Sequence, residues 1–211
     1  IYHAAAFETS TMRKKRPPRG SHAPGTFWFY NNWDFNALLT IFEQETRANV
    51  FQEFKERIAD PLSMQQFRLT DTRYYYETSK SRHPAYLFKM SALDLARFGL
   101  LFEKDGIWEG KQLIPLSWIE ESTRPHTIFK NARSPRRGYG YMWYSADEGY
   151  YAAGKGGQRL MVLPEWDIVV VHLVDTGVKG RKVKSRDFWK VIEKVKKAKD
   201  VQGRVTAVRL N

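Results

Sequence analysis

The sequence predicts an α+β fold with helices first, an antiparallel sheet second and one terminal helix last. Apolar residues recur at helical spacing over residues 34–62 and 91–106, whereas short runs rich in aromatic and β-branched residues fill positions 139–174. Because the two kinds of element are segregated along the chain, they favour α+β over alternating α/β. We divide the chain accordingly into a mainly helical part, 1–138, and a part with the strands and the last helix, 139–211.

Two apolar stripes predict two short amphipathic helices near the start of the helical part. The stripes are Phe35, Leu38, Leu39, Phe42 and Thr46, followed by Phe51, Phe54, Ile58 and Leu62. A capping box of Ser91 and Asp94 predicts the start of a third helix, which Gly106 ends. This helix is apolar nearly all round and is expected to be well buried. A fourth short helix is predicted over residues 117–122.

Three segments are expected to lie outside regular structure. Residues 68–90 lack a clean period and are interpreted as a long surface excursion. The basic cluster 13–16 is interpreted as an exposed loop, because Pro17 and Pro18 follow it. The basic stretch 133–138 contains Pro and Gly and is expected to connect two elements.

The second part is predicted to form an antiparallel meander, because short turns separate its four strand-like runs. The runs are Tyr139–Tyr144, Tyr150–Ala153, Gln158–Leu163 and Asp167–Val174. A final helix is indicated by apolar residues at positions i, i+3, i+4 and i+7, namely Phe188, Val191, Ile192 and Val195.

Composition excludes several classes of protein. The 211 residues are 42% hydrophobic and 27% charged, which fits a folded globular protein and neither a fibrous nor a disordered one. No uncharged apolar run approaches the roughly 20 residues that cross a bilayer, so no membrane span is expected. The absence of cysteine removes disulfides, thiol nucleophiles and cysteine-ligated zinc.

The net charge of +12 lies mostly near the end of the sequence. Residues 176–211 hold twelve Lys and Arg against three Asp and Glu. Such a tail could bind nucleic acid or anionic lipid. We favour a packed helix with a solvated basic face, because charge runs usually serve as solvated surface, and we expect no nucleic-acid partner.

The motifs of several enzyme classes are missing from the sequence. The five histidines show neither His-x-x-x-His nor His-Glu-x-x-His spacing, and no metal or other cofactor is expected. The glycine-rich nucleotide-binding loops and the Gly-x-Ser-x-Gly elbow of α/β-hydrolases do not occur either.

Two segments stand out instead. Residues 24–33 form a turn and an aromatic run that ends in a Tyr-x-Asn motif before a helix, and residues 154–158 place a lysine and two glycines at the start of a strand. These two segments hold three motifs, and with three further motifs they resemble, in the same order, the serine β-lactamase and penicillin-binding-protein-like superfamily, in particular its branch of class C β-lactamases, esterases and D-amino-acid amidohydrolases. The six motifs are Pro24-Gly25-Thr26, Tyr30-Asn31-Asn32, Pro61-Leu62-Ser63-Met64, Ser91-Ala92-Leu93-Asp94-Leu95-Ala96, Tyr139-Gly140-Tyr141-Met142-Trp143 and Lys155-Gly156-Gly157. The resemblance covers residues 1–176 and implies a β-lactamase/transpeptidase-like fold, present in part.

The resemblance implies a serine hydrolase that works through an acyl-enzyme. Tyr30 is the implied base that takes the serine proton and returns it to the leaving group, and Lys155 is the implied neighbouring cation. Asn32 would orient either the substrate or the lysine of the missing Ser-x-x-Lys motif, and the backbone N–H of Gln158 would join the oxyanion hole. Gly157 would let the strand approach the acyl group closely.

The nucleophile of this superfamily is the serine of a Ser-x-x-Lys motif, and no serine in this sequence has a lysine three residues later. The sequence also begins with Ile1 rather than Met. We therefore expect the carboxy-terminal portion of one interwoven catalytic domain, inactive alone, with the missing N-terminal segment as its partner. The resemblance further implies a periplasmic or extracellular location, with the cytoplasm as the alternative.

One departure narrows the substrate class. β-Lactamases and transpeptidases usually carry Lys-Thr-Gly, whose hydroxyl helps to hold a substrate carboxylate, where this chain has glycine at position 156. We therefore favour an esterase, amidase or D-peptidase that takes a small ester, amide or peptide, with Trp28, Trp33 and Tyr141 as candidate pocket walls. The alternative is a non-catalytic relative that binds peptide or cell-wall-type ligands.

Overall fold

The structure, a computed structural model, describes residues 4–130, 135–178 and 182–202. The chain divides into two compact units, Ile1–Asp94 and Leu95–Asn211. The boundary predicted at residue 138 follows a change in element type rather than in contacts, and it stays a prediction. No helix in the described ranges is both long and apolar enough to span a bilayer.

The predicted α+β class is confirmed. The helices are α1 (Ser10–Lys15), α2 (Asn32–Thr46), α3 (Val50–Phe54), α4 (Ala92–Glu103), α5 (Leu116–Thr123) and α6 (Ser185–Gln202), and a π-helical turn, Lys55–Ala59, prolongs α3. The strands are β1 (Thr72–Glu77), β2 (Ser81–Phe88), β3 (Ile107–Trp108), β4 (Lys111–Gln112), β5 (Thr127–Ile128), β6 (Gly138–Tyr139), β7 (Tyr144–Ala146), β8 (Gly149–Ala153), β9 (Arg159–Leu163) and β10 (Ile168–His172). Short 3₁₀ turns are Leu69–Asp71, Lys155–Gly157 and Pro164–Trp166.

The first unit contains an antiparallel hairpin, β1–β2, that packs on α2. The hairpin occupies most of residues 68–90, so the expectation of a surface excursion there is wrong. Tyr74 pairs with Tyr86 across the hairpin, and most side chains of both strands are half-buried or exposed. That partial exposure explains why no clear inside–outside alternation marks these strands in the sequence. An aromatic cluster fills the unit beside the hairpin: Phe51, Phe54, Phe67, Tyr74 and Phe88.

The basic cluster near the start of the chain is helical, which corrects a second expectation. Three of its four residues lie in α1, whose first turn is capped by Thr9 Oγ1, 3.2 Å from the backbone nitrogen of Met12. Pro17 and Pro18 follow the helix and end it rather than prevent it. The predicted helix around residues 34–46 is confirmed as α2, but Leu38, assigned to its apolar stripe, is 50% exposed.

The second unit is built on a six-stranded antiparallel sheet of order β10-β9-β8-β7-β6-β5, so the predicted meander is confirmed. The run 139–144, predicted as one strand, is instead two strands joined by a tight turn, in which the N–H of Gly140 donates to Trp143 O over 2.8 Å. Of the connection predicted over 133–138, residues 133 and 134 lie outside the described residues.

The terminal helix α6 buries only part of its predicted apolar stripe. Phe188 and Ile192 are buried, and the ring of Trp189 meets that of Tyr151 edge-on with centroids 5.2 Å apart. Val191, which the spacing assigns to the same stripe, is 48% exposed. The core of this unit joins α4 and α5 to the sheet through Phe102, Ile119, Trp143, Tyr150, Leu160 and Val162.

Asp94 links the start of α4 to the segment that follows α3. The predicted cap is confirmed, because Ser91 Oγ accepts a hydrogen bond from the Asp94 N–H over 3.1 Å. The Asp94 carboxylate, which is 1% exposed, accepts hydrogen bonds from the backbone nitrogens of Gln65 and Gln66, each over 3.0 Å. The two backbone hydrogen bonds offset the free-energy cost of burying the Asp94 carboxylate, and the two N–H groups in turn depend on that carboxylate as their acceptor.

We expect Asp94→Ala to lower the free energy of unfolding by about 2–3 kcal/mol, because two backbone N–H groups lose their charged acceptor. Asp60→Ala is the matched control, since Asp60 is an exposed carboxylate paired with Lys55 over 2.7 Å and such pairs contribute about 1 kcal/mol or less. Urea unfolding of both variants measures the difference. Equal losses would show that the Asp94 contacts are not the stabilising ones.

Candidate active site

The predicted site residues lie in two segments, one in each unit. Tyr30 and Asn32 stand at the start of α2 in the first unit. Lys155, Gly157 and Gln158 lie together between β8 and β9 in the second unit. We call residues 154–158 the glycine turn.

The middle residue of the Tyr-x-Asn motif is structural. Asn31 is buried and caps α2, with its side-chain oxygen accepting from the Asp34 N–H over 3.0 Å. Its amide nitrogen donates to Phe29 O over 3.1 Å and to the Asp34 carboxylate over 2.7 Å. This cap fixes the point at which the extended chain turns into the helix, and with it the positions of the residues on either side.

Asn32 and Tyr30 are each held by neighbours within the first unit. The side-chain nitrogen of Asn32 donates to Phe7 O over 2.9 Å, which fixes the orientation of its amide. The half-buried Tyr30 ring lies between aromatic neighbours, with centroid distances of 5.3 Å to Phe35 and 6.4 Å to Trp28. The ring is thus held by packing on Phe35 and Trp28, and the roles of both residues in substrate binding or proton transfer remain predictions.

The aromatic residues predicted as pocket walls have partners of their own. Trp33 meets the His83 ring edge-on at 5.2 Å, within the first unit. Tyr141, in the second unit, is 47% exposed and stacks on His126 with centroids 4.2 Å apart. Tyr141 and Trp33 therefore have packing roles, and their contact with a substrate stays a prediction.

The glycine turn needs glycine at two positions. Gly156 and Gly157 have φ values of +86° and +113°, which L side chains rarely adopt. A Cβ atom on Gly157 would lie 3.0 Å from the carbonyl oxygen of Val183, which leads into α6. Both glycines therefore suit the backbone conformation of the turn, and Gly157 also allows the close approach of Val183. At position 156, where the Lys-Thr-Gly motif has a threonine, this chain has no hydroxyl.

The side chain of Gln158 is used in hydrogen bonds to the backbone of Val174, whereas its own backbone N–H is the predicted donor of the oxyanion hole. Its Nε2 donates to Val174 O over 2.7 Å, and its Oε1 accepts from the Val174 N–H over 2.8 Å. These two hydrogen bonds hold Gln158 beside the segment that follows β10. Lys155 is exposed.

Sequence reasoning missed a histidine at this turn. His172, the last residue of β10, has its Nδ1 3.0 Å from Gly157 O. In the sequence it is one of five scattered histidines, and only its position near the end of a strand beside β9 could have indicated it.

The chain resembles known proteins over most of its length. A family model described as Beta-lactamase matches residues 3–191. A solved structure from Bacillus anthracis, described as a 6-aminohexanoate-dimer hydrolase, matches 87% of this chain at 22% identity with a TM-score of 0.63. An octameric penicillin-binding protein homologue from Pyrococcus abyssi matches 71% at 18% identity with a TM-score of 0.48. No curated protein matches the chain significantly.

The chain spans less than half of each solved structure, 46% of the Bacillus anthracis protein and 39% of the Pyrococcus abyssi protein. At 22% identity the likeness to the first shows the fold alone. That fold agrees with the one that the six sequence motifs predict.

We expect Gly157→Ala to lower the free energy of unfolding by about 2–3 kcal/mol, because a side chain there adds backbone strain and presses on Val183. Gly110→Ala is the control: its φ is +76°, and a Cβ there would meet nothing within 4 Å. It should cost about 1 kcal/mol from strain alone. Thermal and urea unfolding measure both, and a Gly157 variant no less stable than the Gly110 variant would contradict the contact described.

Proposed function

The chain belongs to the Beta-lactamase family, and from that premise we propose that it is part of a serine hydrolase that acts through an acyl-enzyme. The superfamily resemblance drawn from the six motifs is thereby confirmed. The substrates we propose are small esters, amides or peptides, with esterase, amidase or D-peptidase activity favoured over β-lactamase activity. We propose a periplasmic or extracellular location for it.

The observation that carries the proposal is the anchored glycine turn. It places an exposed lysine next to two glycines, and the N–H of Gln158 follows those glycines directly, one residue before β9 begins. A backbone N–H held beside an exposed cation suits an acyl group that develops negative charge, and one such donor contributes roughly 3 kcal/mol to the transition state.

The proposed chemistry takes the serine from a segment outside this sequence. Tyr30 accepts the proton of the serine hydroxyl as its oxygen attacks the acyl carbon, and the Gln158 N–H stabilises the resulting oxyanion. Tyr30 then returns the proton to the leaving oxygen or nitrogen, which departs and leaves the acyl-enzyme. The oriented amide of Asn32 binds the substrate, and the exposed cation of Lys155 attracts a substrate carboxylate where one is present. A water molecule then attacks the acyl-enzyme ester while Tyr30 accepts its proton, and the same proton passes to the serine oxygen as the serine–acyl bond breaks and the acid is released.

The second candidate is a non-catalytic protein that binds peptide or cell-wall-type ligands through the same residues. It is favoured by one observation, the lack of any Ser-x-x-Lys motif in these 211 residues. A covalent fluorophosphonate probe applied to the full-length protein separates the two. Labelling of a serine supports the hydrolase, and ligand binding without labelling supports the alternative.

In the full-length protein, we expect Tyr30→Phe to slow acylation by about 10² to 10⁴ while leaving the melting temperature unchanged. The ring and its packing are kept, and only the hydroxyl that moves the proton is lost. Tyr76→Phe is the matched control, because Tyr76 is 63% exposed on the hairpin. Single-turnover release of p-nitrophenol from an ester measures both, and acylation of the Tyr30 variant at the parental rate would make Tyr30 a packing residue.

For Lys155→Ala in the full-length protein, we expect the loss in kcat/KM to depend on the charge of the substrate. Removing an exposed cation weakens the attraction for a carboxylate-bearing ester more than for a neutral one, so the loss in kcat/KM should be about tenfold larger for the anionic ester. Lys111→Ala, at another exposed lysine of the second unit, is the control. Equal losses for the two esters would exclude carboxylate recognition by Lys155.

A further inference from the structure

Carbonyl oxygens of the glycine turn accept hydrogen bonds from several parts of the second unit. Gly156 O accepts from the Val183 N–H over 3.0 Å, and Gln158 O accepts from the Gly154 N–H over 2.9 Å. Arg159 Nη1 also donates to Gln158 O, over 2.8 Å. The turn therefore has a fixed set of peptide planes.

The peptide between Gly157 and Gln158 is held by an imidazole. Nδ1 of His172 lies 3.0 Å from Gly157 O. A carbonyl oxygen can only accept, so Nδ1 must carry the proton in this contact. The imidazole has a fixed position of its own, because β10 pairs it with Arg159 and its ring packs against Phe188 of α6 at 6.3 Å.

This contact determines where the Gln158 N–H points. The described peptide bonds are all trans, and in a planar trans peptide the C=O and the following N–H point in opposite directions. Holding Gly157 O towards His172 therefore directs the Gln158 N–H away from His172. The double hydrogen bond between the Gln158 side chain and Val174 keeps the residue from turning as a whole.

We propose that His172 is a positioning residue that aims the Gln158 N–H at the developing oxyanion by holding the carbonyl of Gly157. This inference rests on the proposed hydrolase function. His172 itself touches no reacting atom; its effect passes through one rigid peptide group. Loss of the imidazole donor frees that peptide to rotate, which misdirects the N–H in the transition state without removing it.

The test compares His172→Leu with His172→Asn in the full-length protein. Asn keeps an N–H donor near the position of Nδ1, whereas Leu has a similar size and no donor. We expect kcat for ester hydrolysis to fall about 10- to 100-fold in the Leu variant with KM changed less than about threefold, and the Asn variant to recover most of that loss. His126→Leu is the control, since His126 Nε2 contacts Glu121 O elsewhere in the unit.

Equal loss in the Leu and Asn variants, or no loss in either, would overturn the positioning role. A second measurement needs no substitution. Nitrogen-15 chemical shifts of labelled histidine report which ring nitrogen of His172 carries the proton, and the proposal requires Nδ1. A neutral ring protonated only at Nε2 would overturn it even if the Leu variant failed to fold.

Activity assays and amide exchange at Gln158 separate this inference from the function on which it rests. If the unsubstituted protein neither turns over esters nor reacts with a fluorophosphonate, the hydrolase proposal fails. Nδ1 protonation with faster amide exchange at Gln158 in the Leu variant would then still support the peptide-orienting contact. Unchanged exchange at Gln158 would overturn that contact as well.

Discussion

The candidate site in the second unit depends on the close contact between Gly157 and Val183. A Cβ atom there would lie 3.0 Å from a carbonyl oxygen, a contact tighter than most real Cβ contacts, and the φ of +113° at the same residue independently favours glycine. With the contact in place, Val183 donates to Gly156 O and α6 begins two residues later. The same contact therefore fixes both the start of the terminal helix and the shape of the glycine turn.

Much of the fold follows from apolar periodicity, and the misses have physical reasons. α2, α4, α5 and α6 carry periodic apolar positions and recognisable ends, so the sequence predicts them. The strands of the hairpin β1–β2 are half-buried or exposed along nearly all of their length, so its side chains alternate little in polarity. α1 is only six residues long and buries none of its side chains, so it leaves no periodic signal at all.

For the candidate site, too, the motifs indicate some features and not others. The six motifs identify the family and the segments, but they do not distinguish residues that act on a substrate from residues that hold the backbone. Asn31 proves to be a helix cap, Asp94 a buried acceptor for two peptide groups, and the Gln158 side chain a partner of Val174. His172 belongs to no motif, because its role depends on a strand pairing that only the folded sheet provides.

The partners of the glycine turn are spread along the sequence, and this has a consequence for how the protein is made. His172 is 15 residues and Val174 16 residues from the groups they bind, and Ser185, which bonds to Arg159, is 26 residues away. During synthesis the turn cannot reach its final shape until residue 185 has left the ribosome. The Gln158 N–H therefore takes its final position only after the start of α6 has been translated.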